Sequence, residues 1–173
     1  MTNAYLLYTQ MLTKSMRSLV KILENAQQWA VQNGKSEDDL LQSRLAPDMF
    51  PLVKQVQLVS DSAKGVASRL SGIEIPSYED TEVAIFELID RLNRTIEFVE
   101  AIPAENFDNA EGVKITMPRL FPGKYMTSSD YLSEHGLPNF YFHVVTAYAI
   151  LRNAGMPLGK SDYINGLNLM DLE

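Results

Sequence analysis

The chain has no cysteine, which removes disulfides, thiolate metal centres and a cysteine nucleophile together. Histidine is almost as scarce. With only His135 and His143 present, a three-histidine metal site cannot be assembled. Basic residues are also short: 15 Lys and Arg stand against 22 Asp and Glu, for a net charge of −7. That balance argues against nucleic acid and against an anionic membrane surface as partners. No run of about 18 apolar residues is free of charge, so no membrane span is expected. Met1-Thr2-Asn3-Ala4-Tyr5 puts no basic region ahead of an apolar core. No signal peptide is expected, and a cytoplasmic location follows as the expectation. Gly159-Lys160-Ser161 has only the end of a phosphate loop, with no leading strand. No serine elbow exists. The Glu-x-x-His pairs of carboxylate metal bundles are missing too, since Phe140 stands three residues before His143.

What the chain does have is hydrophobic residues, 46% of its 173, enough for one sizeable core and a single helical-bundle domain over 1–173. The most apolar stretch is Leu137 to Gly155. Pro138 suits a first helical turn, and Gly155 with Pro157 supplies the stop. Between them the residues are apolar on nearly all sides, the mark of a helix inside a bundle. Asn139 and His143 are one turn apart in it, on one side with Thr146, Ala147 and Ile150. Three further helices follow from stripes of three- and four-residue steps. Tyr5, Tyr8, Leu12, Met16, Leu19, Leu23, Ala26 and Ala30 predict one near 3–33, with Trp29 bordering the core. Leu52, Val56, Val59, Ala63, Val66 and Leu70 predict one near 49–71, capped by Asp48 and stopped by Gly72. Gln55 falls at the edge of that seam and Asp61 on the opposite, solvated side. Ile85, Leu88, Ile89, Leu92, Ile96 and Val99 predict one near 78–101, with a capping box of Ser77 and Asp80. Its Glu87, Asp90, Arg91, Arg94 and Glu97 read as a solvated mixed-charge face.

The connectors are less regular. Ser36-Glu37-Asp38-Asp39 predicts a short capped helix to about Gln42. Val113-Lys114-Ile115-Thr116-Met117 alternates as a short strand does, so residues 102–128 are expected to form a hairpin or irregular excursion. Ser129 to Gly136 reads as one helical turn ending at Gly136, with His135 exposed beside it. The tail from Met156 is expected to be irregular, with Tyr163, Ile164 and Leu167 packing back.

Several stretches together resemble an uncharacterised bacterial family placed with the DinB/YfiT-like metal-dependent enzymes. They are Arg44-Leu45-Ala46-Pro47-Asp48-Met49, Gln55-Val56-Gln57, Pro138-Asn139-Phe140-Tyr141-Phe142-His143, Ala147 to Arg152, and Gly159 to Tyr163. The resemblance implies an all-α four-helix bundle with a long crossover, often homodimeric, and kinship with metal-dependent thiol transferases and related hydrolases. The superfamily sets one histidine in its second helix and a His-x-x-x-His pair in its last. On that pattern His143 matches the first member of the pair, Ala147 stands at the second, and Gln55 at the second-helix position. Ala147 cannot ligate and glutamine is a weak ligand, so the triad is degenerate and neither a metal nor another cofactor is expected.

Three readings of function follow. The first is a module binding a small polar or anionic molecule near His143, with Gln55, Asn139, Arg44, Tyr148 and Arg152 as further ligand-binding candidates. The second is a divergent enzyme with His143 as acid or base. The third is a structural or dimerising protein whose polar residues serve only the fold.

Overall fold

In the computed structural model, which describes residues 4–172, the stripes become four long helices. Helix α1 is Ala4–Gln32, the short α2 is Glu37–Gln42, α3 is Leu52–Ser71 and α4 is Ile85–Glu100. Two single 3-10 turns, Ala104–Phe107 and Ala110–Gly112, lead into strand β1 (Lys114–Thr116). β1 pairs antiparallel with β2 (Tyr125–Thr127), with Ile115 opposite Met126. Helix α5 (Ser128–Asp130), a π turn (Tyr131–Gly136) and α6 (Leu137–Asn153) then form one continuous helical run, and α7 (Lys160–Tyr163) follows. α1 and α3 each pack between α4 and α6, which closes the bundle. No helix among the described residues is long and apolar enough to cross a membrane.

The core is the meeting of the stripes. Leu12, Met16, Leu19 and Leu23 of α1, Val56, Val59, Ala63 and Val66 of α3, and Leu88 and Leu92 of α4 are fully buried, with Phe140 and Ala147 of α6. Such burial is the main favourable term in folding. Gly72 closes α3 at φ +73°, the left-handed conformation that glycine adopts without a steric penalty. Ser36 caps α2 as its sequence predicts, its hydroxyl accepting from the Asp39 amide. The expected hairpin in 102–128 is present.

Three boundaries differ from the sequence reading. α3 begins at Leu52, and Asp48 is not its cap. Proline disfavours helical backbone at the residue before it, and Phe50 and Pro51 lie outside any helix, Pro51 being extended at φ −71°, ψ 169°. α4 begins at Ile85, and Ser77 with Asp80 forms no capping box. Residues 73–84 instead run as an extended strap across α3 and α4. Its carbonyls at Pro76 and Glu79 accept from Lys64 of α3 and Arg91 of α4, and the Glu87 carboxylate takes the Val83 and Ala84 amides. Finally, Gly136 is no stop: its backbone is helical. Pro138 has no N–H to bond the Glu134 carbonyl, and the run widens here, the Leu137 amide reaching five residues back to Leu132. The tail is irregular as expected outside α7, but Ile164 and Leu167 are exposed and do not pack back. α7 packs on α1, and Tyr163 meets Tyr148 edge-on at 6.1 Å.

Candidate functional site

Of the residues singled out in the sequence, the fold joins two directly. His143 Nδ1 and Gln55 Oε1 are 2.8 Å apart. An amide oxygen only accepts, so Nδ1 carries the proton. Gln55 Nε2 in turn donates to the Phe50 carbonyl at 3.1 Å, which ties α6, α3 and the preceding loop together. Gln55 is 1% exposed and His143 8%. Asn139 lies one turn before His143 but donates to Ser62 Oγ at 2.7 Å. Arg44 donates to the Met49 carbonyl and Arg152 to the Met156 carbonyl, while Tyr148 packs on Tyr163. Ala147 is fully buried and offers no donor atom. Among the described residues no three histidine or carboxylate side chains come together to hold a metal ion. One imidazole already bonded to glutamine, beside an alanine, does not fit the superfamily's metal centre.

A cleft of about 750 Å³ opens one to two turns further along α6, toward its N-terminus. Asn139 lines it; the other five candidates do not. Its floor is α3 with Asp61, Ser62, Lys64 and Arg69. Its sides are the strap at Ile75–Tyr78, the loop after β1, and the π turn with Tyr131 and His135. π turns occur often at functional sites. Arg69 Nη1 donates to Tyr131 Oη at 3.3 Å. The Tyr131 ring is buried, and burial raises the pKa of its phenol, only partly opposed by Arg69. Tyr131 is therefore a neutral O–H at pH 7. His135 is not exposed as the sequence suggested. It stacks on Tyr131 with ring centroids 5.8 Å apart, Phe121 meets it edge-on, and its Nδ1 is enclosed without a partner among the described residues. Burial, with the Arg69 charge second, lowers its pKa, so the imidazole is neutral.

At the strap lies a charge cluster that the periodicity of α4 hinted at and its mixed charges masked. Arg91, read as solvated, is 0% exposed. Its guanidinium meets Glu82 at 2.9 Å, Asp80 at 3.0 Å and Asp61 at 3.1 Å, and donates to the Glu79 carbonyl. Asp61, also read as solvated, is shared with Lys64 at 3.0 Å. Lys64 is itself 2% exposed and sits 3.8 Å from the Tyr78 ring centre. Burial lowers its pKa. Burial alone would raise the carboxyls of Asp80 and Glu82. Lys54 and then Arg91 outweigh it at Asp80, and Arg91 and then Gln57 outweigh it at Glu82, so both end lowered. The signal was available. Arg91 is three residues after Leu88 and four before Thr95, both fully buried, so it falls on the inward face.

A pH dependence follows. Burial also lowers the pKa of His143. Both histidines then take up a proton more readily in the unfolded chain, whose value is near 6.5. Stability is full above that pH and is lost as pH falls through the window between it and the two depressed folded values. Below about pH 4.5 the carboxyls of Glu82 and Asp80 extend the loss, because their folded values also lie below the unfolded ones. Urea midpoints measured from pH 8 to pH 4 should decline monotonically, beginning near 6.5. A midpoint that rises on acidification to pH 5.5 would contradict this.

Comparison with known proteins agrees with this architecture. A crystal structure of a DinB family member protein from Shewanella denitrificans is 36% identical, covers 95% of this chain and 93% of its own, and superposes with a TM-score of 0.90. No curated protein matches the chain. A family model described as a domain of unknown function, DUF1993, matches residues 4–164. The chain therefore belongs to the DUF1993 family and carries it on a DinB-like helical bundle.

Proposed function

We propose that the protein binds a small anionic molecule in the cleft between α3, the strap and the π turn. The observation that carries this is Arg69. Its half-buried guanidinium lines the cleft with no carboxylate partner among the described residues, in a chain of net charge −7. The buried cations elsewhere are matched: Arg91 by three carboxylates and Lys64 by Asp61. A cation held over a neutral phenol is poised for an external anion. His135 lines the same place with a neutral imidazole, its Nδ1 enclosed without a partner among the described residues.

Relative to the sequence reading, the proposed site moves from His143 to His135 and keeps Asn139. Amide shifts in a ¹H–¹⁵N spectrum, titrated with a panel of small anions and their neutral analogues, test it. Saturable shifts confined to the cleft at Ser62, Arg69, Tyr131 and His135 are expected. Shifts centred on Gln55 and His143, or none with any compound, would refute the assignment.

A further inference from the structure

Gly65 stands in the middle of the 20-residue helix α3, where glycine favours helix less than alanine does. No turn or positive φ calls for it. A Cβ at this position would overlap Arg69 Nη1, and the next contacts would be relaxed, with Arg69 Cζ at 3.7 Å and Tyr131 Oη at 3.9 Å. So position 65 is bare for one visible reason. It lets the guanidinium of the residue one turn later fold back along α3 and reach Tyr131.

Resting on the reading above, we infer that Gly65, Arg69 and Tyr131 form a carboxylate-receiving corner, and that the ligand is a monocarboxylate with an apolar body. Arg69 spends one N–H on the Tyr131 oxygen, which leaves the phenolic hydrogen free to donate. The remaining guanidinium N–H groups and that hydroxyl are donors on one spot, and a planar guanidinium fork matches a planar carboxylate. The charge count limits the ligand to one negative charge near the corner. Lys64 is already neutralised by Asp61, His135 is neutral, and Arg119 stands exposed at the rim. Among the described residues that leaves the half-buried Arg69 as the unmatched cation inside the cleft. A phosphate dianion would bring a second charge that only the exposed Arg119 at the rim could meet, where water screens it. The cleft lining also includes aliphatic residues, Ile75 and Pro76 from the strap and Met117 and Leu120 from the loop after β1. They offer an apolar body a place to leave water.

The test compares phenylacetate with its neutral isostere phenylacetamide, with inorganic phosphate alongside, on the full chain by calorimetry and amide shifts. Phenylacetate should bind at least about tenfold more tightly than phenylacetamide, the difference expected from a charge-assisted hydrogen bond. Three variants isolate the corner. Arg69→Gln removes the charge, Tyr131→Phe removes only the hydroxyl, and Gly65→Ala displaces the guanidinium. Each should weaken phenylacetate about tenfold or more and leave phenylacetamide unchanged. Gly65→Ala should at the same time melt no lower than the parent, because alanine favours the helix and only a flexible side-chain end must move. That pairing separates a binding role from a structural one. Equal binding of acid and amide, indifference to Arg69→Gln, or tighter binding of phosphate would overturn the carboxylate corner and leave the cleft reading standing. No cleft shift with any compound, charged or neutral, would end both.

Discussion

Arg91→Met is expected to lower the unfolding free energy by about 3–5 kcal/mol, the cost of removing one partner from a buried ion pair. Arg91 is fully enclosed and holds three carboxylates and one carbonyl. The carboxylates are not equal. Asp61 and Asp80 are 42% and 37% exposed at their side chains, so water can screen them once the cation is gone. Glu82 is 6% exposed and among the described residues has only Gln57 as a second side-chain partner, so most of the loss comes from stranding that charge. The double variant Arg91→Met, Glu82→Gln should therefore recover a large part of the loss. Methionine roughly conserves the volume, which separates the electrostatic cost from a cavity. Denaturation in urea measures both. Amide exchange should show the loss in the strap first, because Arg91 holds the Glu79 carbonyl as well as the Asp80 and Glu82 side chains. If Arg91→Met costs under about 1 kcal/mol, the cluster is only surface decoration.

The same cluster explains what the sequence could and could not disclose. Val56, Val59, Ala63, Val66 and Leu70 are all buried as their spacing predicts, because a helix turns periodic apolar residues into one face whatever it packs against. The strap was misread for the complementary reason. Ser77-x-x-Asp80 has the letters of a capping box, but Asp80 is held by Lys54 and Arg91. Those partners are 26 and 11 residues away, and no local pattern reports them. Arg91 itself was legible by phase and masked by type, since an arginine among Glu87, Asp90 and Glu97 reads as solvated. His135 was masked by Gly136, which looked like a helix stop and is instead a point of close approach. A Cβ there would come within 2.9 Å of Val66 Cγ2. The pairing of Gln55 with His143 was visible because both sit on core-facing edges of helices that the family resemblance brings together. Gly65 gave no signal, since its role depends on where a side chain one turn away folds.

His143→Ala is expected to cost about 2–4 kcal/mol, and His135→Ala less than about 1.5 kcal/mol. His143 is enclosed and its Nδ1–H donates to Gln55 Oε1, the one such donor among the described residues. Truncation strands that buried oxygen and leaves a hole between α3 and α6, two penalties that add. His135 loses a stack on Tyr131 and an edge contact with Phe121, but among the described residues its Nδ1 has no partner to strand. Ligand binding should rank the two variants in the opposite order. His135 lines the cleft, and its removal should weaken a bound anion, whereas stable His143 variants should bind as the parent does. The cleanest such variant replaces both partners, Gln55→Leu with His143→Leu. Exchanging a bonded polar pair for apolar groups of similar size can be nearly neutral, so this double variant should be markedly more stable than His143→Ala. Measured together, the two rankings separate a His143 that holds the fold from a His143 that holds a ligand. A His143 that anchors α6 to α3 must matter for stability and not for binding. If the double leucine variant folds well and abolishes anion binding, the site belongs around His143 after all, and the assignment to the π turn is wrong.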